Sequence, residues 1–124
     1  HSNGEPVPEK ERLQSPRAVR KLEPYINCVL CACCYGACPV IGFDEEYIGP
    51  AAIAKLFRFM RDSRDRRGTA FLERVNRRAG VWDCRTIFRC IDACPKDIRP
   101  TDTIEALRRE MVLYRFKKFF RLVR

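Results

Sequence analysis

The chain has 124 residues, and its 25 lysines and arginines outnumber the 16 aspartates and glutamates, which gives a formal net charge of +9. This length allows one compact domain and excludes a large enzyme domain, while an apolar fraction of 46% excludes a disordered chain. No run approaches the roughly eighteen consecutive apolar residues of a membrane-spanning helix, so none is predicted.

The N-terminal part of the chain is rich in proline and poor in large apolar residues. Pro6, Pro8 and Pro16 all lie within residues 1–16, a composition typical of an extended segment. Residues 18–25 favour a short helix that Pro24 interrupts. We therefore predict an extended arm or linker over residues 1–24 and a folded domain over residues 25–110.

Helical periodicity dominates the rest of the chain. Gly49-Pro50 predicts a helix start, because proline at the first helical position loses no hydrogen bond. Apolar residues then recur at helical spacing: Ile53, Leu56, Phe57 and Met60. No segment alternates as a strand does, so the predicted fold class is all-α.

Two further helices are predicted from their end signals. One runs from Gly68-Thr69 to Gly80. Its inward-facing residues are predicted to be Phe71, Leu72 and Val75. The other begins at Asp102, because Glu105 three residues later completes a pattern like a capping box.

The last helix is predicted to carry two apolar faces. Its inner half has one set of apolar residues: Ile104, Leu107, Met111 and Tyr114. Its outer half has a second set: Val112, Phe116, Phe119, Phe120 and Val123. Since residues 96–124 hold nine basic and four acidic residues, residues 111–124 are interpreted as a basic C-terminal helix extension. Either this face contacts another molecule or the tail folds back over the core.

The eight cysteines are crowded into two short groups. The first reads Cys28-x2-Cys31-x2-Cys34-x3-Cys38-Pro39, which is the spacing of bacterial iron–sulfur ferredoxins. In ferredoxins with two clusters, the fourth cysteine of this pattern binds the other cluster. A similar exchange of ligands between two sites is therefore expected here.

The second group reads Cys84-x5-Cys90-x3-Cys94-Pro95 and fits the same template, with Ile87 at the second ligand position. With the fourth ligands exchanged, the set predicted for a [4Fe–4S] cluster is Cys28, Cys31, Cys34 and Cys94. The set for the other site is Cys38, Cys84 and Cys90. Because Ile87 cannot bind iron, this second site is predicted to hold a [3Fe–4S] cluster. Cys33 is left over and is expected to be an inert packing residue.

Other interpretations of the cysteines fit the sequence less well. A disulfide framework suits an even cysteine count, but the adjacent pair Cys33-Cys34 and the tight spacings serve bridges poorly. A structural zinc site suits paired Cys-x2-Cys motifs, which the second group lacks. A nucleic-acid enzyme would explain the charge, but no nuclease or helicase motif is present.

The cysteine pattern occurs together with other motifs along the chain. In order they are Ile48-Gly-Pro-Ala-Ala52, Asp62-Ser-Arg-Asp65, Gly80-Val-Trp82 and Cys90-x3-Cys94-Pro-Lys96. From about residue 11 to about residue 110, the sequence resembles the C-terminal half of the iron–sulfur subunit of succinate dehydrogenase and fumarate reductase, the respiratory complex II family.

The resemblance implies an α-helical, ferredoxin-like domain that holds a [4Fe–4S] and a [3Fe–4S] cluster on the same seven cysteines. It implies an electron-transfer subunit of the respiratory chain and tricarboxylic acid cycle, with no catalytic residues of its own. The implied partners are a flavoprotein subunit with FAD, a [2Fe–2S] domain, and membrane-anchor subunits where quinone reacts, but not nucleic acid. Pro39, Ile87 and Arg108 are expected near the quinone.

The resemblance also implies a peripheral location, on the matrix side of the mitochondrial inner membrane or the cytoplasmic face of a bacterial plasma membrane. The sequence departs from the family in lacking a Cys-x4-Cys-x2-Cys motif, so a [2Fe–2S] domain or separate N-terminal half-subunit is expected elsewhere. Residues 40–43 and Arg85 replace the tryptophan and histidine usual in ubiquinone-reducing members. A fumarate reductase subunit or another ferredoxin-type dehydrogenase carrier therefore stays an alternative.

Overall fold

The computed structural model describes Pro6 and residues 8–68 and 70–119. Its α-helices are α1 (Pro16–Ile26), α2 (Cys33–Gly36), α3 (Gly49–Arg61), α4 (Ala70–Val75), α5 (Arg89–Asp92) and α6 (Pro100–Phe119). Two 3₁₀ turns cover Pro39–Gly42 and Val81–Asp83. No strand occurs among these described residues, so the all-α prediction is confirmed. Within the same ranges, we find no helix with the length and apolar character needed to cross a bilayer.

The core lies between α3 and α6, which pack against each other. α3 begins at Gly49-Pro50 as predicted and buries Ile53 and Phe57, with Leu56 and Met60 packed at the edge of the core. α6 contributes three buried residues: Ile104, Leu107 and Met111. Since each large apolar side chain contributes roughly 1.5–3 kcal/mol when fully buried, this packing holds the N-terminal turns of both helices in place.

The short helix predicted over residues 18–25 is present, but it is longer than predicted and Pro24 does not interrupt it. α1 starts after Ser15, whose side chain accepts a hydrogen bond from the Ala18 N–H, and it continues two residues past Pro24. Leu22 is fully buried, and α1 packs against α3. The boundary predicted at residue 25 therefore falls inside a helix.

Two predicted helix ends differ from the structure. α4 ends at Val75 rather than at Gly80, and a Cβ atom at Gly80 would lie 2.1 Å from the Val75 carbonyl oxygen. The glycine thus permits a close backbone approach instead of capping the helix. α6 begins at Pro100 rather than at Asp102, and the Asp102 carboxylate accepts a hydrogen bond from Arg99 Nε at 2.6 Å.

The outer half of α6 is exposed in the described part of the chain. Residue 111, the predicted start of a separate extension, is buried within a continuous helix. Beyond it, 60% of the Phe116 side chain and 81% of the Phe119 side chain are exposed. Phe120, Val123 and the predicted cap Thr69 lie outside the described residues.

Candidate metal centres

The loops of the two cysteine groups share one backbone conformation. Two residues after the first cysteine of each group, Leu30 and Thr86 have φ values of 57° and 55°. Four residues after it, Ala32 and Phe88 have φ values of 63° and 66°. Left-handed backbone costs a non-glycine residue roughly 1–2 kcal/mol, so its repetition at matching positions marks a conformation that both loops require.

The correspondence continues through the short helices that follow. α2 and α5 have four residues each. The backbone N–H groups of their C-caps, Ala37 and Ala93, donate equivalent hydrogen bonds, in each case to the carbonyl oxygens of the residues four and two positions earlier. The next residue in each group is its last cysteine. By this correspondence, Ile87 stands at the position of Cys31, as the sequence template predicts.

Four cysteines line one cavity, which we call the first site. They are Cys28, Cys31, Cys34 and Cys94. The cavity is also lined by Ala51, in the N-terminal turn of α3, and by Pro100, which begins α6. These are the four residues of the predicted complete ligand set.

Three cysteines line a separate cavity, which we call the second site. They are Cys38, Cys84 and Cys90. Pro39 and Ile87 line the same cavity, and 48% of the Ile87 side chain is exposed. An aliphatic side chain thus occupies the place where the first site has the thiol of Cys31.

The last cysteine of each group faces the other group's site. Cys38 follows the first loop but lines the second site, and Cys94 follows the second loop but lines the first. This arrangement matches the exchange of fourth ligands that the ferredoxin spacing predicts. Both sites therefore draw on both cysteine groups.

Cys33 lines neither site. Its side chain is exposed, which differs from the packing role expected for it. Hydrogen bonds from the Cys33 backbone and side chain lower the pKa of the neighbouring Cys31 thiol. Cys33 is thus placed beside a thiol of the first site without lining that site.

Burial and hydrogen bonds act on the sulfur atoms of both sites. Burial, with a smaller effect of neighbouring thiols, raises the pKa of the Cys34 thiol to about 11. Burial also raises the pKa of Cys90, while its hydrogen bond with Thr101 acts in the opposite direction. Because thiolates are the metal-binding form, loading these sites releases protons and is favoured at higher pH.

Several donors lie close to the sulfur atoms. The backbone N–H groups of Thr86 and Ile98 each donate to a cysteine Sγ at 3.4 Å, those of Cys84 and Cys94 respectively. Two buried residues with hydroxyl groups, Tyr47 and Thr101, also line the second site and were not predicted from the sequence. Neither belongs to the cysteine groups, so only the folded chain brings them to the site.

Two cations hold the backbone of the first cysteines. Arg108 donates to the carbonyl oxygens of Val81, Trp82 and Cys84 at 2.9, 3.3 and 2.6 Å. Lys55 Nζ lies 3.4 Å from the carbonyl oxygen of Cys28. Arg108, expected near the quinone, does not line the second site but fixes the segment that leads into it.

The chemistry of the donor sets fits iron–sulfur clusters. All eight cysteines are free thiols, so the structure contains no disulfide framework. Throughout the described residues, no three histidine, cysteine or acidic side chains are grouped so as to hold a single metal ion. Four and three thiols around two cavities instead match the all-cysteine ligation of iron–sulfur clusters.

Comparison with known proteins gives matches over most of the chain. The succinate dehydrogenase iron–sulfur subunit of Coxiella burnetii is 40% identical over 111 residues, which are 89% of this chain and 47% of that protein. The fumarate reductase iron–sulfur subunit of Escherichia coli O6:H1 is 37% identical over 93 residues, covering 75% of this chain and 38% of that protein. The corresponding subunit of Haemophilus influenzae is 35% identical over 107 residues, covering 82% and 42%.

The chain thus spans less than half the length of these curated relatives. The family model described as a 4Fe-4S dicluster domain matches residues 25–98. That range contains all eight cysteines. The chain therefore belongs to the 4Fe-4S dicluster domain family.

Proposed function

We propose that this chain is the part of a succinate dehydrogenase or fumarate reductase iron–sulfur subunit that carries two clusters and transfers electrons. The observation that carries this proposal is the pair of cavities lined by exchanged cysteine sets. The names of the curated relatives supply the enzyme class. The chain itself contributes no catalytic residue in this proposal.

In the first site, the proposed ligands of a [4Fe–4S] cluster are Cys28, Cys31, Cys34 and Cys94. In the second site, the proposed ligands of a [3Fe–4S] cluster are Cys38, Cys84 and Cys90. Ile87 keeps a fourth protein ligand from the second site, and this favours a three-iron cluster there. When bound, the two clusters would supply one-electron transfer between a two-electron flavin and a two-electron quinone.

The chain's own residues prepare these sites in three ways. The thiols lose their protons on loading, and the backbone N–H groups of Thr86 and Ile98 then donate to thiolate sulfur. The packing of α3 against α6 holds Ala51 and Pro100 beside the first site. Ile87 covers one side of the second site with an apolar group.

The partners in this proposal follow from the relatives' enzyme class and from exposed apolar surface. Ile87 and Phe88 both line the second site and are 48% and 46% exposed, which favours contact with a membrane-anchor subunit and quinone near Pro39 and Ile87. Arg108 stays a prediction as a quinone neighbour. A flavoprotein with FAD and a [2Fe–2S] domain complete the proposed complex, on the mitochondrial matrix side or the bacterial cytoplasmic side of the membrane.

The test is electron paramagnetic resonance of the intact complex, purified with this chain from its membrane. The air-oxidised complex is expected to show the near-isotropic signal of an oxidised three-iron cluster. The reduced complex is expected to show the separate signal of a reduced four-iron cluster. Cys33→Ala is the matched control and should preserve both signals. A complex that contains zinc and no iron would overturn the proposal.

A further inference from the structure

The two sites differ in the side-chain donors around their sulfur atoms. Thr101 and Tyr47 line the second site and are only 1% and 2% exposed. Among the described residues that line the first site, none carries a hydroxyl group. The difference is clear in the first turns of α3 and α6. Ala51, which follows Pro50 in α3, lines the first site, whereas Thr101, which follows Pro100 in α6, lines the second.

The contact at Thr101 is a short one. Its Oγ1 atom lies 3.0 Å from the Sγ atom of Cys90, and both residues are buried. A thiolate bound to iron has no proton to give, so the hydroxyl must be the donor in the loaded state. With water excluded from the contact, the hydroxyl has no competing partner in solvent.

We infer that Thr101 is a positioning residue whose hydroxyl donates to the Cys90 thiolate and raises the reduction potential of the cluster at the second site. Hydrogen bonds to the sulfurs are among the factors that set cluster potentials, because a donor stabilises the more negative, reduced form. The inference rests on the proposed function, since it requires a cluster at that site.

Tyr47 supports the same asymmetry, because it is a second buried side chain with a hydroxyl group at this site. Like Thr101, it has no counterpart among the described residues that line the first site.

The experiment is a redox titration of the intact complex, followed by the spectroscopic signals of both clusters. Thr101→Val replaces the hydroxyl with a methyl group of similar size and should shift the second-site midpoint to a more negative potential, leaving the first-site midpoint unchanged. Thr101→Ser should restore it. Tyr47→Phe should shift the second-site midpoint in the same direction.

Thr103→Val is the matched control, because Thr103 is fully buried in the same helix, lines neither site and donates to the Pro100 carbonyl oxygen at 2.6 Å. The midpoint potentials of both clusters in the Thr103→Val complex should equal those of the unmodified complex. An unchanged second-site midpoint in Thr101→Val would overturn the inference alone. Absence of the three-iron signal from the unmodified complex would overturn the proposed function as well.

Discussion

The two cysteine loops have the same backbone and different side chains at the positions that decide chemistry. Left-handed residues flank the second ligand position of both loops, yet that position holds Cys31 in one and Ile87 in the other. The side chain that donates to the first cysteine of each loop differs too: Lys55 donates to the carbonyl oxygen of Cys28, and Arg108 donates to that of Cys84. A shared backbone thus makes two sites, and single side chains make them unequal.

The exchange of the last cysteines gives the largest expected effects. Cys38→Ala should abolish the three-iron signal and preserve the four-iron signal, although Cys38 belongs to the first loop. Cys94→Ala should do the reverse, because Cys94 lines the first site. The measurement is the resonance spectrum with iron content of the intact complex.

Cys33→Ala controls for the loss of a thiol near the first loop, and both signals should survive in it. If Cys38→Ala removed the four-iron signal instead, each loop would hold its own cluster and the exchange would be wrong.

The second test removes the main difference between the loops. Ile87→Cys places a thiol at the position that Cys31 occupies in the first loop, so the three-iron signal should disappear in favour of a second four-iron signal. The added ligand and iron should lower that cluster's potential and reduce quinone reductase activity. Activity with artificial acceptors that bypass this site should persist.

Ile87→Val is the control, since it keeps an aliphatic side chain and should keep the three-iron signal. If Ile87→Cys retained that signal with unchanged quinone reductase activity, the correspondence between residues 84–94 and the first loop would be wrong.

The third test concerns the cations behind the loops and predicts smaller effects. Arg108→Met removes hydrogen bonds to three carbonyls, each contributing roughly 0.5–1.5 kcal/mol, so the three-iron signal should be lost several-fold faster on mild heating. Lys55→Met removes one longer bond to Cys28 and should accelerate loss of the four-iron signal less. Arg109→Met, at the exposed neighbouring position, is the control for charge.

A different result would assign Arg108 to the quinone. If Arg108→Met raised the quinone KM without changing the rate of signal loss, its contacts with the loop would be incidental. The quinone KM and the rate of signal loss, measured together, therefore separate a structural role from a role in quinone binding.

The sequence allowed prediction of features that depend on local spacing. The two cysteine groups, the position of Ile87 and the start of α3 at Gly49 depend on a few neighbouring residues, so their patterns are visible in the sequence. The start of α6 was predicted two residues late, because Asp102 resembles a cap but Pro100 already satisfies the requirements of a first turn.

Features that depend on contacts between distant segments could not be predicted in this way. Thr101 meets Cys90 only because one side of the first turn of α6 lies beside the second site, and Tyr47 reaches the same cavity from the segment before α3. Likewise, the short helix predicted over residues 18–25 gave no sign that Leu22 is fully buried or that α1 packs against α3. No periodic pattern in the sequence records these contacts.

The exchange of cysteines also bears on the unfolded chain. With a cluster in place, Cys28 would be linked to Cys94 through the first site, and Cys38 to Cys84 through the second. Each link would close a loop of roughly fifty to seventy residues, which in the chain-entropy description used for disulfides corresponds to about 4 kcal/mol. Because one loop lies inside the other, the second link restricts the chain less than the first. Loss of one cluster would therefore leave most of this restraint on α3 and α4, and loss of both would release it.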